Sequence, residues 1–209
     1  MSNVGLLYVG AVLFINGLML IGKVPGKSAA IMNLFVGAMQ TVFPTIIISQ
    51  ANGDPAIIFG AAGLYLFGFT YLYVGLNQLC SLPGEGLGWF SLFVAVCAIV
   101  IGSVLLVHFD DPVSAVMWYT WAVLWFMFFL LLGLNMESLA ITTGWFTLIV
   151  AHITATIPAL LLISGAFKST TANALWMAAA SLLALIFAFV MGRRAALNAP
   201  APAAMTQAG

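Results

Sequence analysis

Trp121 and Trp125 stand four residues apart, and so do Phe67 and Tyr71. That spacing puts both members of each pair on one face of a helix. Rings in this register make a flat apolar wall with a polar tip, a phenol hydroxyl or an indole N–H. A hydrated ion at such a wall must shed water at a cost of several kcal/mol or more, whereas a small uncharged molecule loses far less. The plainer alternative is that these rings fill a core or sit at a membrane–water boundary, where Trp and Tyr concentrate. His152 is the one titratable group well inside an apolar stretch. An ionisable residue there is a candidate for lining or gating a path, although a neutral imidazole bonded to a backbone carbonyl or a nearby threonine is a purely structural alternative. His108 adjoins Asp110 and Asp111. Once protonated it could pair with either carboxylate, and a solvated loop histidine is the simpler reading. Catalytic signatures are missing: there is no HExxH pair, no GxSxG elbow, no paired carboxylates inside the apolar stretches and no phosphate-binding Gly-rich loop with its lysine. No enzyme activity, metal or cofactor is expected.

The elements that position these residues follow from where the charges lie. Lys23, Lys27, Lys168, Arg193, Arg194, Asp54, Glu85, Asp110, Asp111 and Glu137 all fall between apolar segments. Those segments are about 20 residues long, the length that crosses a bilayer core as helix. With 64% hydrophobic and 5% charged residues, the chain is no soluble globule, for which about 25% charged is usual. Net charge near zero argues against a nucleic-acid partner. A charge at mid-bilayer is costly and is kept there by pumps and ion-coupled carriers for work. Its absence points to handling something neutral.

Seven spans are expected, near 4–21, 28–50, 56–79, 88–107, 113–135, 144–167 and 174–192. Pro, Gly, Asn and Asp clusters separate them. Backbone polar groups in lipid must be bonded internally, so the spans are helices or a closed barrel, and continuous apolar runs exclude the alternating pattern of a barrel. The positive-inside rule places Lys23, Lys27, Arg193 and Arg194 in the cytoplasm. The N-terminus is then extracytoplasmic and the C-terminus cytoplasmic. The first span reads as a retained helix rather than a signal peptide, because its lysines follow it. Residues 1–167 form a three-hairpin channel bundle, 168–192 an additional span, and 193–209 a cytoplasmic tail expected to be disordered, above all in its Ala- and Pro-rich part from Asn198. Cys80 and Cys97, on different helices, read as reduced packing residues.

The chain repeats at a spacing of 58: Gly17-Leu18 returns as Gly75-Leu76 and Gly133-Leu134, Pro25-Gly26 as Pro83-Gly84, and Leu34-Phe-Val36 as Leu92-Phe-Val94. The third copy is looser, with Gly88-Trp-Phe90 recurring at 144–146. Each unit is a helical hairpin. Three parallel hairpins can pack around an axis, leaving a path through one protomer, with the seventh helix peripheral. Inverted repeats, the usual sign of alternating-access carriers, are absent.

Several segments resemble the urea channel/amide transporter family (UreI/AmiS-like), over about residues 4–165: Leu6-Leu-Tyr-Val-Gly10, Ile31-Met-Asn-Leu-Phe-Val-Gly37, Phe67-Gly-Phe-Thr-Tyr-Leu-Tyr73, Ser91-Leu-Phe-Val-Ala95 and Trp121-Ala-Val-Leu-Trp125. The resemblance implies a homo-hexamer in a bacterial cytoplasmic (inner) membrane. Each protomer would be a six-helix bundle with its own pore for urea or short amides such as acetamide, feeding a cytoplasmic amidase or urease. Carried over by motif, the pore residues are Leu6, Leu13, Phe67, Tyr71, Trp118, Trp121, Leu124 and Trp125. Tyr71 or an indole N–H would offer the amide occasional hydrogen bonds.

Three departures stand out. The first loop, Gln50 to Pro55, is short and lacks histidine, so strong acid gating is not expected. Where family channels often carry a glutamate on helix six, this chain has Val150, with His152 as a candidate substitute. The seventh helix suits the amide-transporter branch. A passive pore is the leading expectation and a proton-linked carrier using His152 the alternative. A retinal-type receptor is disfavoured because helix seven lacks an internal lysine. Asn16, Asn33, Asn77 and Asn135, near the inner helix ends, are expected to bridge helices or to face a pore mouth, and Pro44 and Pro158 to kink their helices. Trp89 and Trp145 read as interface anchors.

Overall fold

The computed structural model describes residues 2–198. Seven helices are each long and apolar enough to cross a membrane: α1 Ser2–Leu20, α2 Gly26–Ser49, α3 Pro55–Cys80, α4 Glu85–His108, α5 Pro112–Gly133, α6 Glu137–Ile163 and α7 Thr171–Leu197. Their starts are written in the sequence. Asp54 and Asp111 cap α3 and α5, accepting from the amides of Ala56 at 2.8 Å and Ser114 at 3.1 Å, and each is followed by a proline, which has no N–H in need of an acceptor. Their ends use left-handed backbone: Gly22 (φ 75°) after α1, Ser81 (φ 55°) after α3, Asn135 (φ 54°) after α5 and Gly165 (φ 74°) after α6.

Three boundaries differ from the sequence reading. Helix α5 stops at Gly133 because Asn135 turns left-handed. Helix α6 starts at Glu137 with a short 3₁₀ turn, earlier than 144. Helix α7 continues to Leu197, so Arg193 and Arg194 ride its last turns and no tail begins at 193. The expected disorder beyond Asn198 lies outside the described residues.

The two prolines behave differently. Pro44 sits within the continuous helix α2. Pro158 follows a π-helical stretch, Ala151–Thr156. Proline supplies no N–H to the turn before it. Within that stretch the hydroxyls of Thr154 and Thr156 donate to the carbonyls of Val150 (2.6 Å) and Ala151 (3.1 Å), so neither hydroxyl is left unbonded inside the bundle. A second widened turn, Phe129–Gly133, ends α5.

The most extensive helix contacts are α2 with α3, α4 with α5 and α6 with α1. The second helix of each expected hairpin therefore packs mainly on the first helix of another. Small residues permit this closeness. Gly17 packs on Gly144, Gly75 on Ala30 and Gly133 on Gly88. These are two sets of positions, 17, 75 and 133 and 30, 88 and 144, meeting in three pairs. A Cβ on Gly17 would lie 2.9 Å from the Gly144 carbonyl oxygen. Asn16 and Asn33 bridge α1 and α2 by a reciprocal pair of hydrogen bonds, 2.9 and 2.6 Å, worth roughly 0.6 kcal/mol apiece in a bilayer. Asn77 instead donates to the Pro83 carbonyl at 3.2 Å, and Asn135 forms a turn.

Helix α7 lies against α6 and α5. Thr120 donates to Ser181 at 3.2 Å, and Trp145 meets Phe187 edge-on with centroids 5.6 Å apart. Trp145 is thus a packing residue for α7 rather than a free interface anchor. Trp89 is exposed beside Phe129. Large apolar side chains cover the outside, including Phe35, Val107 and Trp176, as a lipid-facing or subunit-facing surface requires.

Candidate functional site

The paired rings of α3 and α5 meet at the bundle centre. Phe67 is the hub: its centroid lies 4.9 Å from Trp121, 4.9 Å from Trp125 and 5.2 Å from Trp118. Trp121 stands edge-on to it at 80°. Offset and edge-on pairs of this kind add about 0.5–1.5 kcal/mol each beyond area burial. Tyr71, one turn below Phe67, is also buried, as are Leu13 and Leu124.

The indoles are locked by threonines that the sequence reading did not single out. Trp121 Nε1 donates to Thr154 Oγ1 at 2.9 Å, and Trp125 Nε1 to Thr70 Oγ1 at 3.2 Å. Those hydroxyls in turn donate to the carbonyls of Val150 and Leu66, at 2.6 and 2.7 Å. Of the groups expected to offer a passing molecule hydrogen bonds, Tyr71 or an indole N–H, the N–H groups of Trp121 and Trp125 are thus already engaged within the protein.

Cavities open on both sides of the ring cluster. One, of about 190 Å³, lies at the end where α1 and α5 begin; Leu6, Gln40, Phe67, Trp118 and Trp121 are among its walls. The other, of about 260 Å³, lies where α1, α3 and α5 end; Leu13, Thr70, Tyr71, Asn77 and Trp125 are among its walls. Phe67 and Trp121 thus face the first cavity, and Tyr71 and Trp125, one helical turn further, face the second. Phe67, whose centroid lies 4.9 Å from both Trp121 and Trp125, links the two sets of walls. Leu124 borders neither cavity and is fully buried in the core. Among the described residues no Asp, Glu, Lys, Arg or His borders either cavity.

A few buried polar atoms have no partner among the described residues: both amide atoms of Gln40, the Tyr71 hydroxyl, Asn77 Oδ1 and Thr143 Oγ1. Leaving such a group unmade costs about 1–3 kcal/mol. Gln40 borders the first cavity, and Tyr71 and Asn77 the second. Gln40 was missed in the sequence, although a lone amide in the middle of an apolar span was its signal.

The histidines lie elsewhere. His152 is exposed on the outside of the protomer, its ring 5.5 Å from Phe14 and close to Tyr8 and Thr156. It borders neither cavity, so it does not replace the inward Val150, which is fully buried. His108 sits at the exposed end of α4, and the nearby Asp111 is taken up by the α5 cap and by Ser169. Among the described residues no group of three His, Cys, Asp or Glu side chains could hold a metal.

Known proteins share this arrangement of sequence and fold. The chain is 50% identical over 203 residues to the transporter protein AmiS2 of Rhodococcus erythropolis, covering 97% of this chain and 98% of that protein. It is 47% identical over 208 residues to an amidate substrates transporter protein of Mycolicibacterium smegmatis, covering 98% of each. It is 33% identical to the acid-activated urea channel of Helicobacter pylori, covering 78% of this chain and 97% of that protein. The cryo-EM structure of the H. pylori urea channel in its closed state superposes with a TM-score of 0.72 at 34% identity, covering 80% of this chain and all of that one. The crystal structure of that channel gives 0.70. The profile of AmiS/UreI family transporters matches residues 1–166, the six helices that enclose the rings and both cavities. This chain of seven apolar helices, with its buried cluster of rings, belongs to the AmiS/UreI family of membrane transporters.

Proposed function

We propose that this protein is a passive, selective pore for urea and short aliphatic amides. The observation that carries the reading is the pair of cavities without an Asp, Glu, Lys, Arg or His among their described walls, one bordered by Phe67 and Trp121 and the other by Tyr71 and Trp125, with Phe67 packed 4.9 Å from both indoles. A small planar amide can slip between ring faces and meet Gln40, Tyr71 and Asn77 on the way. A hydrated ion must strip its water against apolar walls and finds no counter-charge. Leu6 and Trp118 shape the first cavity and Leu13 the second, while Leu124 braces α5. The names of the relatives, an amidate substrates transporter and a urea channel, support amides and urea as cargo.

In this reading the protomer is built of three parallel hairpin repeats, a view supported by the matched pairs Gly17–Gly144, Gly75–Ala30 and Gly133–Gly88. Six protomers assemble in the bacterial cytoplasmic membrane. The N-terminal cavity faces outward and the second cavity faces the cytoplasm, where an amidase or urease consumes the amide. The position of His152 outside both cavities favours passive flux over proton coupling.

Stopped-flow swelling of proteoliposomes under urea, acetamide and glycerol gradients tests the proposal. Urea and acetamide are expected to enter faster than into protein-free liposomes, with glycerol lagging. Amide entry no faster than into protein-free liposomes would falsify the proposal.

A further inference from the structure

We infer that Gln40 is the group that recognises a carboxamide in the N-terminal cavity. Its side-chain amide pairs with an incoming primary amide or urea as a closed two-bond ring: the solute N–H donates to Gln40 Oε1, and Gln40 Nε2 donates to the solute carbonyl. The inference rests on the pore reading above and names the chemistry of its first station.

Three observations lead there. First, Gln40 has no exposed surface, stands in the middle of α2, and has neither its Oε1 nor its Nε2 partnered among the described residues. Gln40 forms part of the cavity wall together with Phe67, Trp118 and Trp121, and its amide, sealed against α1 in this structure, meets a solute by turning about its side-chain torsions. Second, the chain itself shows how a structural amide in this bundle is satisfied. Asn16 and Asn33 bond reciprocally at 2.9 and 2.6 Å, and Asn33 adds the Ala29 carbonyl at 2.9 Å. Gln40 lacks such a mate, and a primary amide is the molecule that reproduces the missing half. Third, two glycines hold it in place. A Cβ on Gly68 of α3 would lie 2.9 Å from the Gln40 carbonyl, so the backbone is seated against that helix. A Cβ on Gly5 of α1 would lie 3.1 Å from Nε2 and 3.3 Å from Oε1, so a side chain there would crowd the amide. The terminal torsion of glutamine is broad, which lets the amide plane turn to meet its partner.

The chemistry sets the specificity. The solute must present N–H and C=O on the same edge. Acetamide and urea do so. N-methylformamide, an isomer of acetamide with the same atoms, does not, because a secondary amide prefers the trans form and turns its N–H away from its carbonyl. A site built to bond both groups rejects a molecule that can bond only one.

The test compares these two isomers in proteoliposomes of the full-length protein, at low solute concentration and with the protein-free rate subtracted. Wild type is expected to pass acetamide about tenfold faster than N-methylformamide, the effect of roughly one lost hydrogen bond in a dry site. Gln40→Met keeps the length and volume of the side chain, and Gln40→Leu serves as a second variant. Both are expected to bring the ratio of the two rates close to one, mainly by slowing acetamide. Thermal unfolding in detergent should show either variant at least as stable as wild type, since two unpartnered polar groups are gone. A ratio unchanged by both substitutions, or variants that fail to fold, overturns the inference, because Gln40 would then be structural. If wild type itself passes no acetamide, the pore reading has failed. If wild type passes acetamide and the ratio ignores position 40, only this inference has.

Discussion

The indole N–H of Trp121 donates to the Thr154 hydroxyl over 2.9 Å, linking α5 to the widened turn of α6. The ring that faces Phe67 is thereby held at a fixed angle from behind. Thr154→Val keeps the shape but leaves a buried N–H without a partner. It is expected to lower stability by about 1–3 kcal/mol and to blunt discrimination between urea and glycerol, since the indole is free to tilt. Thr154→Ser restores the acceptor and should restore both properties. Detergent thermal melts and paired solute fluxes measure them.

Phe67 touches three indoles at once. Phe67→Leu removes the ring that they pack on and opens the partition between the cavities. A loss of about 2–4 kcal/mol in stability is expected, together with faster glycerol entry relative to urea. Unchanged selectivity in the stopped-flow comparison would mean that these rings do not form the filter.

Among the described residues no Asp, Glu, Lys, Arg or His borders either cavity, and His152 lies exposed on the outside of the protomer. Amide flux is therefore expected to stay level from pH 5 to pH 8, the interval in which histidine changes charge. His152→Ala and His108→Ala should leave the flux and its flat profile as they are. A bell or a step in the rate against pH, abolished by either substitution, would return a gating role to that histidine.

Gly88 sits against the backbone of Gly133, where no side chain can move aside. Gly88→Ala is expected to cost about 1–3 kcal/mol or more by forcing α4 and α5 apart, seen as a lower melting temperature and broadened size-exclusion peaks. Gly60→Ala, on α3, is the contrast, because nothing lies within 4 Å of the added methyl. It should be neutral or slightly stabilising, as helix propensity favours alanine.

Much of this architecture was legible in the sequence because membranes impose simple rules. Charges between spans and the Pro, Gly, Asn and Asp clusters that separate them located the helices. The four-residue spacing of Trp121 with Trp125 and of Phe67 with Tyr71 gave the faces that meet. What a single chain does not display is which helices face one another. Thr70 and Thr154 are unremarked residues of apolar spans until α3 and α6 bring them to the indoles. Gln40 gains its meaning only from the cavity it borders and the partners it lacks. His152 stood out for its chemistry, but it belongs to a π-helical stretch, where the regular helical face is interrupted and simple spacing misplaces a side chain. The end of α5 was misjudged for a related reason: a second widened turn and a left-handed Asn135 stop a helix that its apolar run would have continued.

The account depends most on passive movement of an uncharged amide through an uncharged interior. Uptake of labelled acetamide into proteoliposomes, followed to its end point with and without an imposed proton gradient, tests this most directly. The prediction is rapid filling to equal concentrations inside and outside, with the same end point in both conditions and no accompanying Na⁺ or K⁺ current. Accumulation above the external concentration when the proton gradient is present, or uptake that requires the gradient, would contradict it.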